Sequence, residues 1–240
     1  KQLLNYDDVL SRQRKIMYER RDHILYSKTI SETIPGYFDL AAKTICSKST
    51  LVKDQETVID GKKMVDEATK LLVIDPSSIP VAAFDGANYK DAWVLLSARL
   101  QKIYKDHSKD WTPDMKNFAE KTVTLDCIDR KWTKHIDQMA KLRDAIWLRS
   151  YAQTDPLQAY TNEGFDMFNK MNETIACDAS RTLLHVAFQV KPQNAEATKP
   201  GIDAKTPIKK PDVKFNPEVS SNVKPDDDGI DRSNPTAKIN

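Results

Sequence analysis

The chain has 240 residues, 40% of them hydrophobic and 30% charged, with a formal charge of +2 at neutral pH. So balanced a charge does not mark a nucleic-acid binder, and a composition this polar buries its core more readily in packed helices than in one globule. Six glycines are too few for a glycine-studded β-sandwich or a nucleotide-binding α/β fold, so an all-α class is expected.

In chain order, residues 1–28 read as one helix, with Leu3, Tyr6, Leu10, Met17 and Ile24 at helical spacing. Neither a cap nor a Met precedes it, so the helix is expected to continue upstream. Residues 29–110 form a mixed segment. Asp39–Cys46 and Gly61–Ile74 read as helices there, and Tyr89–His107 as an amphipathic helix through Trp93, Leu96, Leu100 and Ile103. Pro35, Pro76, Pro80 and Gly86 punctuate it.

Residues 111–190 read as a helical hairpin. Thr112-Pro113 is a start signal, a cap followed by a proline that needs no amide partner. Leu125, Ile128, Trp132, Ile136, Met139, Leu142 and Ile146 then recur at steps of three and four, with Lys131, Lys134, Asp137, Lys141 and Asp144 on the solvated side. A helix unbroken to Arg149 would be about 50 Å long. After a short polar turn, Asp155-Pro156-Leu157-Gln158 resembles a capping box and opens a second helix through Leu157, Tyr160, Phe165, Phe168, Met171, Ile175 and Leu183. Two amphipathic helices so joined should pack antiparallel. Tyr151 falls at the tip, off either stripe, and spacing alone favours a tyrosine that closes the hairpin's own core.

Residues 191–240 turn to Lys, Pro, Asp, Asn and Ser, and such a tail is expected to be disordered because it buries too little to offset its ordering entropy. Cys46, Cys127 and Cys177 are odd in number, outside any C-x-x-C pattern, and are expected to be reduced thiols; Cys127 and Cys177 sit off the apolar stripes. No apolar run is long enough for a bilayer span and the start lacks a signal-peptide pattern, so any membrane role is expected to be peripheral. Phosphate-loop, dinucleotide-loop and H-E-x-x-H patterns are missing. His23, His107, His135 and His185 are scattered, and His135 and Asp137 diverge on a helix, as do Asp7 and Asp8. No catalytic residue, metal or cofactor is expected in this chain.

Tyr6-Asp7-Asp8-Val9, followed by Gln13-Arg14, Ile16, Tyr18 and Arg21, resembles the first scaffold segment of the SecA family of bacterial preprotein-translocating ATPases. Ser31-Glu32-Thr33-Ile34 resembles the start of that family's wing. The ordered set Leu125-Asp126, Trp132, His135, Met139, Leu142-Arg143, Ile146, Leu148-Arg149, Tyr151-Ala152-Gln153, Asp155-Pro156, Tyr160, Phe165, Met167-Phe168 and Met171 resembles its two-helix finger. The segment from Thr50 to Phe84 matches more loosely. The resemblance covers roughly the first four-fifths of the chain. It divides the chain into a scaffold helix (1–28), a helical wing (29–110), a second scaffold helix with the finger (111–190) and a tail (191–240).

The resemblance implies a mechanical role beside an ATPase motor that lies elsewhere in the parent and binds ATP and Mg there. The implied partners are the SecYEG channel, unfolded preproteins, the SecA motor domains and anionic membrane lipids, with no nucleic acid, at the cytoplasmic face of the cell membrane. It gives Tyr151, with Arg149 and Gln153, contact with the moving preprotein, for which a flat uncharged aromatic suits many sequences. Trp132, Met139, Leu142 and Arg143 resemble the region that restrains the motor, and Tyr6, Asp7, Asp8 and Arg14 the motor-facing scaffold. Two departures stand out. The family's C-terminal cysteine-rich zinc motif is absent, so zinc-dependent SecB binding is not expected, and Trp147 makes the tip region more hydrophobic than usual. A stand-alone helical adaptor, binding a protein through the hairpin, is the alternative from the residues alone; a nucleic-acid motor's accessory module is disfavoured by alternating Lys and Asp.

Overall fold

The structure is a computed structural model that describes residues 2–53, 56–149 and 155–188, with side chains for 6–53, 56–146 and 155–188. The expected tail and the tip residues Tyr151 and Gln153 lie outside the described residues, as does the side chain of Arg149. Helix α1 (Gln2–Tyr26) leads through a turn to α2 (Ile34–Lys48), the strands β1 (Thr50–Lys53) and β2 (Glu56–Ile59), and α3 (Gly61–Leu72). Two 3-10 turns (Pro76–Ser78 and Val81–Ala83) precede α4 (Tyr89–His107), α5 (Pro113–Arg149) and α6 (Pro156–His185). The helical class holds, with one strand pair added to it.

Local chemistry explains most boundaries. Asp60, Asn88 and Asp155 each accept a hydrogen bond from an amide of the first turn of α3, α4 and α6, and Thr112 does so for α5 through Met115. Helix α2 begins a turn earlier than Asp39, because Pro35 sits in the first helical positions, where its missing amide costs nothing. Helix α3 stops two residues before Ile74, at Val73, whose φ of 58° is left-handed and costly for a β-branched side chain. The Leu72 carbonyl there accepts from His185 Nε2 at 2.9 Å.

The strands were not foreseen. They pair antiparallel, Thr50 opposite Ile59 and Lys53 opposite Glu56, through a β-branched run. Only Ile59 among the eight strand residues is fully buried, so little apolar periodicity marks them. The Ile59 amide and carbonyl bond to Ala87 and Gly86, both at 2.9 Å, which ties the strand pair to the loop before α4.

Helix α6 touches each of the five other helices. The main core gathers around it: Met17 and Ile24 from α1, Phe38 and Ile45 from α2, Met64 and Leu72 from α3, Leu96 and Leu100 from α4, Ile128 and Trp132 from α5. Its own Phe168, Ile175 and Leu183 close that core. A second, smaller cluster holds Met139, Leu142, Ile146 and Tyr160 further along the hairpin.

The bend between α1 and α2 is held from α5. Lys121 Nζ donates to the carbonyls of Leu25 and Ser27, and Asn117 Nδ2 to that of Lys28 at 2.9 Å, so orphan carbonyls at the end of α1 are satisfied. Next to them the Glu120 carboxylate is 0% exposed and accepts from the hydroxyls of Ser31 and Tyr104, the latter at 2.9 Å, with Lys116 Nζ at 3.9 Å. One buried anion thus joins the bend, α4 and α5.

Three substitutions test this packing. Gly61→Ala would place a Cβ 2.8 Å from the Val81 carbonyl and 2.9 Å from the Asp85 amide, and should cost about 1–3 kcal/mol. At Gly36 nothing lies within 4 Å of an added Cβ, so Gly36→Ala should be neutral or stabilise by up to about 1 kcal/mol. Glu120→Gln leaves a hydroxyl facing an amide nitrogen and should cost about 1–3 kcal/mol. Urea titrations of the three variants measure these differences.

Candidate functional site at the three-helix junction

Helix α5 has 37 residues and α6 has 30, so α5 is about 55 Å long. They run antiparallel, as expected. Lys131 Nζ meets Asp178 Oδ2 at 2.6 Å, and Met139 packs on Gly164 nearer the tip. The start of α6 is capped by Asp155, which accepts from Leu157 N at 3.0 Å. The other half of the capping box is not made: Gln158 Nε2 donates to Asn162 at 2.8 Å instead of reaching back.

Both apolar stripes are confirmed except at Phe165, which is 62% exposed. The inner position belongs to Gly164, because a Cβ there would lie 2.8 Å from Met139 Cε. Phe165 is therefore turned one step off the contact. Cys127 and Cys177, expected off the stripes, are buried along with Cys46. The hairpin is covered on further faces by α2, α3 and α4, so its core is wider than one stripe. Burial pushes the Cys46 thiol up to about 12 and that of Cys177 to about 11, and raises Cys127, so these thiols are held protonated.

Helix α1 lies along the base of the hairpin. Tyr6 meets Tyr160 edge-on, with ring centroids 4.9 Å apart. Arg20 Nη1 donates to Asn172 Oδ1 at 2.9 Å, and Arg21 forks onto Asp129 at 3.0 and 3.3 Å. Between these sits a buried polar layer. Gln13 Nε2 donates to the Gly164 carbonyl at 3.0 Å, and Gln13 Oε1 lies 2.8 Å from His135 Nε2. Since the Gln13 nitrogen faces a carbonyl, its oxygen faces the imidazole, and His135 must carry its proton on Nε2. His135 is 1% exposed, lies between Trp132 and Phe168, and has no partner at Nδ1. Burial lowers its pKa, which keeps the ring neutral.

The residues singled out in the sequence fall in three places. Trp132, Met139 and Leu142 are buried on α5, Trp132 in the main core and the other two in the smaller cluster. Arg143 is exposed, its Nε 4.0 Å from Asp144. Tyr6 is half-buried against Tyr160, while Asp7, Asp8 and Arg14 are exposed on α1. Sequence reasoning passed over the Gln13–His135 pair, 122 positions apart. Its one local signal was that His135 sits on the stripe through Trp132 and Met139. Among the described residues, no group of three or more His, Cys, Asp or Glu could hold a metal ion, and no helix is long and apolar enough to cross a membrane.

The family described as the SecA Wing and Scaffold domain matches residues 1–187. The protein translocase subunit SecA of Mycoplasma capricolum subsp. capricolum is 33% identical over 195 residues, which cover 79% of this chain and 20% of that relative. SecA of Clostridium acetobutylicum is 30% identical over 204 residues, 83% of this chain and 24% of the relative. The chain thus spans about a fifth to a quarter of the length of these curated relatives.

The buried neutral His135 makes stability pH-dependent. Its folded pKa lies below the ordinary 6.5, so below that pH the unfolded chain binds more protons than the folded one. The contribution is complete above about pH 6.5 and is lost as pH falls. Thermal melts between about pH 7 and 5 should show this loss, and His135→Gln, which keeps a donor for Gln13 without titrating, should flatten the curve.

Proposed function

The chain belongs to the SecA wing and scaffold family, and on that premise we propose that it is the scaffold, wing and finger part of a preprotein translocase. The observation that carries this reading is the long α5–α6 hairpin with α1 laid along its base. A helix of that length, braced at one end by a broad core, can deliver force without carrying out chemistry. In this reading the parent couples ATP hydrolysis to pushing unfolded preproteins through the SecYEG channel. ATP and Mg are bound by motor domains outside this chain, so the chain alone is not an ATPase.

Roles then follow position. Tyr151, flanked by Arg149 and Gln153, meets the moving polypeptide at the tip. Trp132, Met139, Leu142 and Arg143 form the finger segment through which the motor is restrained; the first three also pack the hairpin. Asp7, Asp8 and Arg14, on the exposed side of α1, meet the motor, with Tyr6 anchoring that helix to Tyr160. Lys134 and Lys170, beside Asp166 and the Asp178-paired Lys131, line a groove of about 460 Å³ between the hairpin helices, and contact with anionic lipids at the cytoplasmic face of the membrane belongs to the same reading.

The test uses the full-length parent. Tyr151→Cys should crosslink to a preprotein trapped in membrane vesicles, in an ATP-dependent manner, and the buried Cys46, Cys127 and Cys177 can stay in place. Tyr151→Ala should lower preprotein transport far more than basal ATPase activity. Equal loss of both would make the tyrosine structural, and ATP turnover by this chain alone would overturn the division from the motor.

A further inference from the structure

Several polar side chains tie α1 to the hairpin, and they differ in kind: Lys121 holds the Leu25 carbonyl at the exposed end of α1, and three ties lie along the helix. Arg21–Asp129 is exposed and Arg20–Asn172 only partly buried. Exposed charge pairs contribute little and are screened by salt. Gln13 is 7% exposed and uses both ends of its amide, one on each hairpin helix. It also lies where the two apolar clusters meet, with Trp132 and Phe168 in one and Met139 and Tyr160 in the other.

Apolar seams have no fixed register, because a helix that slides exchanges one set of methylene contacts for another. A buried amide behaves differently. Shifting α1 by one residue, about 1.5 Å, would strand the Gln13 amide, the His135 Nε2–H and their desolvated surroundings. Single buried polar layers fix register in helical seams for this reason. Gly164 completes the layer: with no side chain it lets Met139 close over α6, and its carbonyl is within reach of Gln13.

We propose that Gln13 is a positioning residue for the finger, locking α1 in register with α5 and α6 so that movement of the scaffold helix reaches both finger helices together. The proposal rests on the finger reading above. His135 is its partner in α5, held in one tautomer by the same bond. The layer does no chemistry; it prevents the seam from slipping under load.

The experiment compares three full-length parent variants in transport and ATPase assays. The double variant Gln13→Leu with His135→Leu removes both partners and replaces the layer by apolar contacts, which is nearly neutral for stability. It should melt close to the unaltered protein yet transport at least about fivefold less preprotein per ATP, the low end of ordinary coupling between sites. Gln13→Asn, one methylene too short to span both helices, should show the same loss if the double variant folds poorly. Transport per ATP equal to the unaltered protein in a folded variant would overturn the proposal, as would a loss that only parallels a lowered melting temperature. Tyr151→Ala, run beside them, separates the two readings. If it lowers transport while the Gln13 variants do not, the coupling inference alone fails. If it leaves transport unchanged, the finger reading itself fails.

Discussion

Helix α6 must be buried on several sides at once, and the rest of the structure is arranged around that requirement. It contacts α1, α2, α3, α4 and α5, and close approach by so many partners needs small residues along its inner faces. Gly164, Ala176, Ala179 and Ser180 supply them. Helices packed over such positions come within the shorter range of interaxial distances, about 8 Å, and larger side chains such as Phe168, Ile175 and Leu183 fill the spaces between. A chain segment with only one apolar face could not serve as this common support.

Burial of apolar area brings the helices together but does not fix how they sit, since the hydrophobic effect has no direction. Direction comes from a few enclosed polar groups. Glu120 holds the bend between α1 and α2 to α4 and α5 through two hydroxyls. Gln13 and His135 fix α1 on the hairpin. Each of these hydrogen bonds is lost if the helices shift, and the cost of losing one, about 1–3 kcal/mol, separates this arrangement from its neighbours.

A mechanical role fits this division of labour. The base of the hairpin is embedded in the broad core shared with α2, α3 and α4, whereas further out, among the described residues, Met139, Leu142, Ile146 and Tyr160 form a smaller buried cluster. Support therefore narrows along the hairpin. In the proposed reading a stiff helix pair with a wide foundation serves as a lever, and its register with α1 carries motion from one to the other.

The sequence by itself determined the elements whose signals are local. The bounds of α4 at Tyr89 and His107, the start of α5 after Thr112, the Asp155 cap and most of both stripes follow from capping chemistry and helical periodicity, which act within a few residues. Family membership was legible too, because it is carried by ordered residue identities. Tertiary structure decided what depends on distant neighbours. Phe165 yields the inner position to Gly164 because Met139 lies opposite. The cysteines are buried because other helices cover the hairpin, and Thr50–Lys53 and Glu56–Ile59 form strands although, of the residues in those two strands, only Ile59 enters the core. Gln13 and His135 are partners across 122 positions, and no pattern in either helix announces the other, since a buried hydrogen bond between two helices is specified only by the packing that brings them together.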